Sequence, residues 1–334
     1  MYGLTDTEMG QAAGRAILAP SIHNTQPWRF VITRGSLELH ADPHRQLRVL
    51  DPRGRQLMIS CGCALFNARV ALAAAGYDAV VERFPDPAQP NLLARVTLPV
   101  ETSHGSTISH LNAAIDRRRT NRRPFFTRAV PPDVLQLLGA AASAEAAELF
   151  TIDRPEHRLA TARLSRQADT AELTDPAYRA ELRAWTTTDP HRGDGVLAST
   201  VAHVDAGASG DLPLRDFDTS GRGWLPVDTR SDHDQCLLVL GTLDDDRMAW
   251  LRAGEALERV WLELTRLGYV ASLLTQVVEV AQTHELLRLE LGLTMHPHLL
   301  MRVGQAPDTP SSPRRALIDV IESPELSRTP SRPS

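Results

Sequence analysis

Cysteine is scarce in this chain, and the placement of what little there is excludes two classes of protein. Cys61-Gly62-Cys63 and Cys236 make up the whole set of three, which is neither a disulfide framework nor a paired metal-ligand spacing. These thiols are expected to be reduced packing residues. No apolar run approaches the roughly 20 residues of a membrane helix, so no membrane span is expected. Positive charge is not in excess either: a net charge of -5 and a pI of about 6.2 leave no overall field for nucleic acid or acidic lipid. Any anion site must therefore be local. The stretch from Met1 to Gly10 carries acids rather than a basic start followed by an apolar run, so a cytoplasmic location is expected.

What is present is an ordinary globular composition, 42% hydrophobic and 23% charged over 334 residues. That length suits about two domains or one large duplicated unit. The segment from Asp6 to Leu18 has helical composition, and Ala19-Pro20-Ser21 breaks it before an aromatic and β-branched strand from Trp28 to Ile32. A second strand is expected from Leu37 to Ala41, an Ala-rich helix from Gly62 to Gly76, and a strand from Val96 to Val100. The pattern then restarts: a helix from Ile108 to about Arg117, a basic stretch, a helix from Pro132 to about Ala142 and a strand around Leu149 to Ile152.

The echo is sharpest between Gly62 to Ala79 and Gly254 to Ala271, where an offset of 192 matches seven of eighteen positions, including Gly76-Tyr77 with Gly268-Tyr269. The strands from Trp28 to Ile32 and from Glu148 to Ile152 align at an offset of only 120, so about 72 residues are inserted between Asp153 and Gln235. Within that window the run from Arg158 to Trp185 is charged and helical. From Thr186 to Asp232 no period is sustained, and so long a loop is either functional or disordered. The organisation expected is a first half at 1–104, a second half at 105–321 with its insertion at about 186–232, and a flexible Pro- and Ser-rich tail at 322–334.

Two stretches carry candidate chemistry. In an extended backbone Arg118, Thr120 and Arg122 would project to one side, and two guanidinium forks flanking a hydroxyl suit a phosphate monoester. The same run also fits a solvated basic turn after a helix. Pro313-Arg314-Arg315 is a second basic pair, uninformative alone. The loop from Pro20 to Trp28 concentrates small polar groups between two buried elements, where a polar-edged planar ligand could partner them. It equally fits plain loop chemistry, with Ser21 turning the chain and Asn24 and Gln26 bonding neighbouring backbone. His191, His203 and His233 have no compact ligand spacing, Asp244-Asp245-Asp246 reads as a helix cap, and Trp250 and Trp261 read as packing.

The run Ala19-Pro20-Ser21-Ile22-His23-Asn24-Thr25-Gln26-Pro27-Trp28-Arg29-Phe30 resembles the signature loop of the FMN-dependent nitroreductase superfamily, and Arg118-x-Thr120-x-Arg122 resembles its phosphate motif. The order and spacing of Trp250 to Val260, Leu267-Gly268-Tyr269 and Thr275-Gln276 resemble more narrowly the Acg-type branch of actinobacteria. The likeness spans nearly the whole chain and is least specific in the insertion. It implies an α+β, three-layer α-β-α nitroreductase fold in two tandem half-copies that form a pseudo-dimer.

Nitroreductases of this superfamily are homodimers whose two flavin sites each take phosphate ligands from one subunit and the Pro-Ser loop from the other. Here the loop maps at offset 120 onto Ala140 to Ala144, where every such type is replaced, while the segment before Pro20 has no Arg-x-Ser/Thr-x-Arg run. Each half keeps what the other lost, which implies one FMN per chain and a monomer. By the same resemblance Arg118, Thr120, Arg122 and the Arg314-Arg315 pair would hold the phosphate. Leu274, Thr275 and Gln276 would approach the N5 and O4 edge, and Pro20, Ser21, Ile22, His23, Asn24 and Gln26 would face the rest of the flavin. No side-chain nucleophile is required, because the flavin carries the electron chemistry.

The function implied is an oxidoreductase passing electrons from NAD(P)H through FMN to a small acceptor such as a nitroaromatic or quinone. The alternative is an FMN-storing protein, since in the Acg-type branch a segment comparable to the insertion acts as a lid over the flavin.

Overall fold

The computed structural model describes residues 7–33, 35–99, 106–123, 125–198, 215, 217 and 235–322. The first elements are α1 (Glu8–Ala16), capped by Thr7, then β1 (Trp28–Thr33), β2 (Ser36–Ala41), α2 (Arg55–Ala74), β3 (Val80–Arg83) and β4 (Leu92–Thr97). There follow a short α3 (Asn112–Ile115), α4 (Pro132–Ser143), β5 (Glu148–Thr151), α5 (Pro155–Thr174) and α6 (Pro176–Ala184). Asp175 separates the last two, its carboxylate accepting from Ala177 N–H to start α6 just before Pro176 would break a continuous helix. Two-residue strands β6 (Thr186–Thr187) and β7 (Val196–Leu197) pair with each other. The chain continues with β8 (Cys236–Thr242), α7 (Arg247–Arg266), β9 (Val270–Leu273), α8 (Gln276–Glu279), α9 (Ala281–Glu290), β10 (His296–Gly304) and β11 (Ile321–Glu322).

These strands make two mixed-composition layers, an α+β architecture. One sheet has the order β11-β1-β2-β4-β3, with β11 parallel to β1 and the other pairs antiparallel; the second has the order β5-β8-β10-β9, antiparallel throughout. Side chains of the second sheet divide as alternation requires. Leu238, Leu240, Leu299, Met301 and Val303 join the main core with α7, while Leu237, Val239 and Leu300 join a second core with α5, α8 and α9. Helices thus cover both faces of this sheet, giving three layers. Among the described residues the first sheet is covered on one face: along β1, Trp28, Phe30 and Ile32 are buried while Arg29, Val31 and Thr33 are not.

The main core is organised around the crossing of α2 and α7. At Gly62 an added Cβ would lie 2.1 Å from Leu251 O, and at Gly254 it would lie 2.0 Å from Ile59 O. The helices therefore touch backbone to backbone at the pair of glycines that the offset of 192 makes equivalent. Two positions that match in the sequence repeat thus meet each other, as they would across a twofold axis. The proposed boundary at 104/105 lies outside the described residues.

Three differences from the sequence expectations have local causes. Helix α2 starts seven residues before Gly62, at Arg55, because its polar first turn is satisfied internally: buried Arg55 donates to Val278 O. At that length it is apolar enough to cross a membrane, yet most of it is buried inside the protein. The expected helix from Ile108 is mostly a 3₁₀ turn, Ser109–Leu111, followed by one turn of α3. Glu322, assigned from sequence to the tail, pairs with Val31, so the C-terminal strand completes the N-terminal sheet. Residues 323–334 lie outside the described residues.

The smaller readings can be placed as well. Asp246 caps α7 by accepting from Ala249 N–H at 2.9 Å, Trp250 and Trp261 are buried, and all three cysteines are free thiols. His203 and His233 lie outside the described residues; His191 is exposed.

Candidate functional site

A cavity of about 440 Å³ opens between the turn after α1 and the extended run after α3. One wall is the turn after α1, where His23, Asn24 and Gln26 all have positive φ of 45 to 54°. Such left-handed backbone is unusual in residues other than glycine and has to be held by its surroundings. Here the holding groups are visible. Ser21 Oγ accepts from Gln26 N–H at 2.9 Å, and Ile22 N–H donates to Ser60 Oγ on α2 at 3.1 Å. Asn24 Nδ2 donates to both Gly195 O and Pro313 O, while Gln26 Nε2 donates to Gly193 O at 2.8 Å and its Oε1 accepts from Arg315 N–H at 2.9 Å. The loop is thus pinned to the start of the insertion and to the C-terminal Pro-Arg-Arg run. Arg45, which stacks on Trp185 and pairs with Asp194, adds another tie.

The opposite wall is the extended run after α3, tied to β9 by a parallel bridge from Thr120 to Ala271 and by Asn121 N–H donating to Ala271 O at 2.9 Å. Arg118, Thr120 and Arg122 all reach the cavity, and so does Arg119, so strict extended alternation does not hold along this run. They face different company, however. Arg118 is only 4% exposed, stacks on Trp261 at 4.8 Å and lies 3.5 Å from the fully buried carboxyl of Glu258. Arg314, from the C-terminal run, is its neighbour: burial first, then the positive charge of Arg118, lower the Arg314 pKa to about 9. Arg122 stacks instead on Phe217 at 5.0 Å, and burial followed by the charge of Arg215 lowers its pKa to about 10. The basic run therefore serves two cationic clusters, Arg118 with Arg314 and Arg122 with Arg215.

The first of these clusters is short of negative charge. Burial pushes Glu258 up to about 7 against the opposing pull of Arg118, so near neutrality it neutralises one of the two guanidinium groups only in part. Among the described residues, buried Nε and Nη1 of Arg118 and Nε of Arg314 have no hydrogen-bond partner. Buried N–H groups without acceptors are costly, and two like charges in a desolvated pocket more so. An anion with several acceptor oxygens would relieve both.

Of the fourteen residues singled out in the sequence, eleven line this cavity: Pro20, Ser21, Ile22, His23 and Asn24 from the loop; Arg118, Thr120 and Arg122 from the basic run; and Thr275, Gln276 and Arg314. Three do not. Gln26 and Arg315 spend their polar groups on each other, Arg315 Nη1 donating to Gln26 O at 3.2 Å, and Leu274 N–H is committed to Leu300 O. Several wall residues escaped the sequence reading. Ser311 and Ser312 adjoin the Arg314-Arg315 pair and were legible as hydroxyls beside a basic run. Ser60 and Cys63 sit within an apolar helix, and Arg215 and Phe217 lie in the aperiodic insertion, where no spacing marks them.

Comparisons with known proteins follow the same lines. A candidate NAD(P)H nitroreductase of Mycobacterium tuberculosis strain H37Rv is 38% identical over 317 residues, covering 93% of this chain and 90% of that protein. A second from the same strain, Acg, is 35% identical over 334 residues, covering 95% and 96%. Among solved structures, the FMN- and NADPH-dependent nitroreductase NfnB of a Sphingopyxis strain has a TM-score of 0.40 at 19% identity, over 64% of this chain and 97% of that one. An FMN-bound nitroreductase from Desulfitobacterium hafniense has a TM-score of 0.40 at 12% identity, over 66% and 97%. No family model matches the chain. With more than a third of its residues shared with these mycobacterial relatives over at least nine-tenths of both chains, the protein belongs to the nitroreductase family, in the group that includes Acg.

Proposed function

We propose that the cavity binds one FMN and that the protein is an oxidoreductase passing electrons from NAD(P)H to a small acceptor such as a nitroaromatic or quinone. The observation that carries this reading is the buried, under-neutralised pair Arg118 and Arg314, with N–H groups unpartnered among the described residues, set in a cavity whose other walls include a strained polar loop and apolar side chains such as Ile59, Leu257 and Leu299. A phosphate monoester answers the first need and a planar, polar-edged ring system the second. Arg118, Thr120 and Arg314 would hold the phosphate. The loop from Pro20 to Asn24, with Thr275 and Gln276, would border the ring, and Gln26 and Arg315 would brace the loop from behind. Bound there, the flavin would supply hydride and electron transfer; the chain's own part is to position it, bias it electrostatically and limit access.

Membership of a family whose relatives are named as candidate NAD(P)H nitroreductases supports the enzymatic side. Arg215 and Phe217 on the cavity wall keep the storage reading in play, since both come from the insertion. Mixing the FMN-loaded protein with NADPH or NADH under nitrogen separates the two. The account expects the visible flavin band to bleach and to return when a quinone is added. A band unchanged by either nucleotide yet bleached by dithionite would overturn the enzymatic reading and leave FMN storage.

A further inference from the structure

Behind the cavity wall, four side chains from four parts of the chain converge on one guanidinium. Arg215, from the insertion, is 8% exposed; Glu172 on α5 and Glu279 on α8 are 7% and 2% exposed, and both carboxyl groups reach the same nitrogen, Nη2. On its other side, Arg215 Nη1 lies 2.6 Å from His23 Nε2. A guanidinium nitrogen can only donate, so His23 accepts there, carries its proton on Nδ1 and is neutral. Burial first, then the charges of Arg215 and Arg122, hold its pKa well below the usual histidine range, in agreement with that geometry. Tyr178 on α6 packs against Glu172, and burial pushes its hydroxyl pKa up, so it too is uncharged. Toward α2, Glu279 feels the charges of Arg55 and Asp51, and Asp51 is pushed up to about 6, chiefly by burial. Asp169, one turn before Glu172 on α5, is engaged by Gln276 Nε2 at 2.6 Å.

Charge balance then constrains the cluster. Two ionised carboxylates on the one guanidinium nitrogen they share would leave that trio net negative, offset only by Arg122, which stacks on the same Phe217 ring, and among the described residues Glu172 Oε2 and Glu279 Oε1 both lack a donor. A proton held by the pair removes the excess charge and supplies the missing donor. Burial, opposed by Arg215 and reinforced by Glu279, places the Glu172 pKa at about 8, and two interacting carboxyls titrate as a unit.

We infer that Glu172 and Glu279 share one proton that, acting through Arg215, sets how readily the cavity accepts negative charge. This rests on the cavity being the redox site proposed above. A hydride brings two electrons and one proton, hence one net negative charge, into a space that Arg215 and Arg122 border. With the shared proton in place the cluster behind that wall is neutral, and Arg215 still favours the incoming charge. Loss of the proton to solvent makes the cluster negative and disfavours it. By linkage, charge arriving in the cavity raises the affinity of the pair for its proton, so electron uptake draws a proton from solvent once the pH exceeds the pKa of the pair. Glu172 is in this sense a positioning residue, placing charge without touching the cofactor.

Two measurements on the full chain test this. In the flavin-free protein, infrared difference spectra between unsubstituted protein and Glu172→Gln should show the C=O stretch of a buried carboxylic acid at pH 7 that titrates away in the unsubstituted protein with a midpoint near pH 8. Absence of that band at pH 7 overturns the inference whether or not FMN binds. In the FMN-loaded protein, the midpoint potential of the unsubstituted chain should fall more steeply with pH from about 8 upward, and Glu172→Gln should lack that added slope. Parallel potential curves for the two proteins would also overturn it. Glu279→Gln provides the same comparison should Glu172→Gln fold poorly, and the difference against either variant separates this band from that of Glu258, which burial also pushes up, to about 7. A failure of FMN to bind at all counts against the cavity assignment and leaves the infrared result to stand on its own.

Discussion

Replacing Arg118 and Arg314 together by alanine is expected to weaken FMN binding by roughly a hundred- to ten-thousand-fold. Each buried hydrogen bond to a charged group is worth about 1.5–3 kcal/mol, so losing one from each arginine removes roughly 3–6 kcal/mol. We propose this pair rather than Arg118 with Arg122. Arg118 and Arg314 press on each other electrostatically and hold N–H groups without acceptors, whereas Arg122 is stacked on Phe217 beside Arg215. Titrating the flavin-free variants with FMN and following flavin fluorescence measures the change. An affinity within a few-fold of the unsubstituted protein would place the phosphate elsewhere. Arg122→Ala is the informative control: if it alone matches the double variant, the phosphate lies in the second cationic cluster.

The second large effect is expected at the helix crossing. In Gly254→Ala the new methyl would fall 2.0 Å from Ile59 O, and the obstacle is backbone rather than the free end of a side chain. Alanine in place of glycine inside a helix gains about 1 kcal/mol of propensity, so a net loss measures the clash. Overpacking of this kind costs about 1–3 kcal/mol, and backbone contact puts the expected net destabilisation at about 2 kcal/mol or more. Urea unfolding gives the value. A variant as stable as the parent would mean that the helices can separate freely, contrary to the tight crossing. FMN affinity should fall as well, because Ile59, Ser60 and Cys63 of α2 and Leu257 of α7 line the cavity and any opening of the crossing moves them.

Those glycines show what a single sequence can reveal about this fold. Gly62 and Gly254 stood out only as matched positions in a weak repeat; that they touch each other is a tertiary fact, although a duplicated unit with a self-contact makes such a meeting natural. Strand β2 was legible from alternation, and β1 from its aromatic and β-branched run. Strand β3 was not, because Val80–Arg83 is an edge strand with no buried position in its four residues. Strand β11 consists of two residues that form a strand only because β1 lies alongside them, and no local pattern encodes a parallel pairing across 291 positions.

The candidate site divides in the same way. Arg118 and Thr120 carry their signal in spacing, and the turn from Pro20 to Asn24 carries it in composition. The division of labour between Arg118 and Arg122 depends on which arginine each meets, Arg314 or Arg215, and that is set by packing. Arg215 and Phe217 had no readable signal at all, since they sit in a segment without period. Glu172 and Glu279 were indistinguishable from surface acids on charged helices until the fold buried both against one guanidinium.

The central claim is one flavin held by parts of both halves of a single chain, and counting flavin against protein tests it most directly. After saturation with FMN and removal of the excess, absorbance should give one FMN per chain on a particle that light scattering finds to be a monomer. Two per chain, or none retained, would contradict the account.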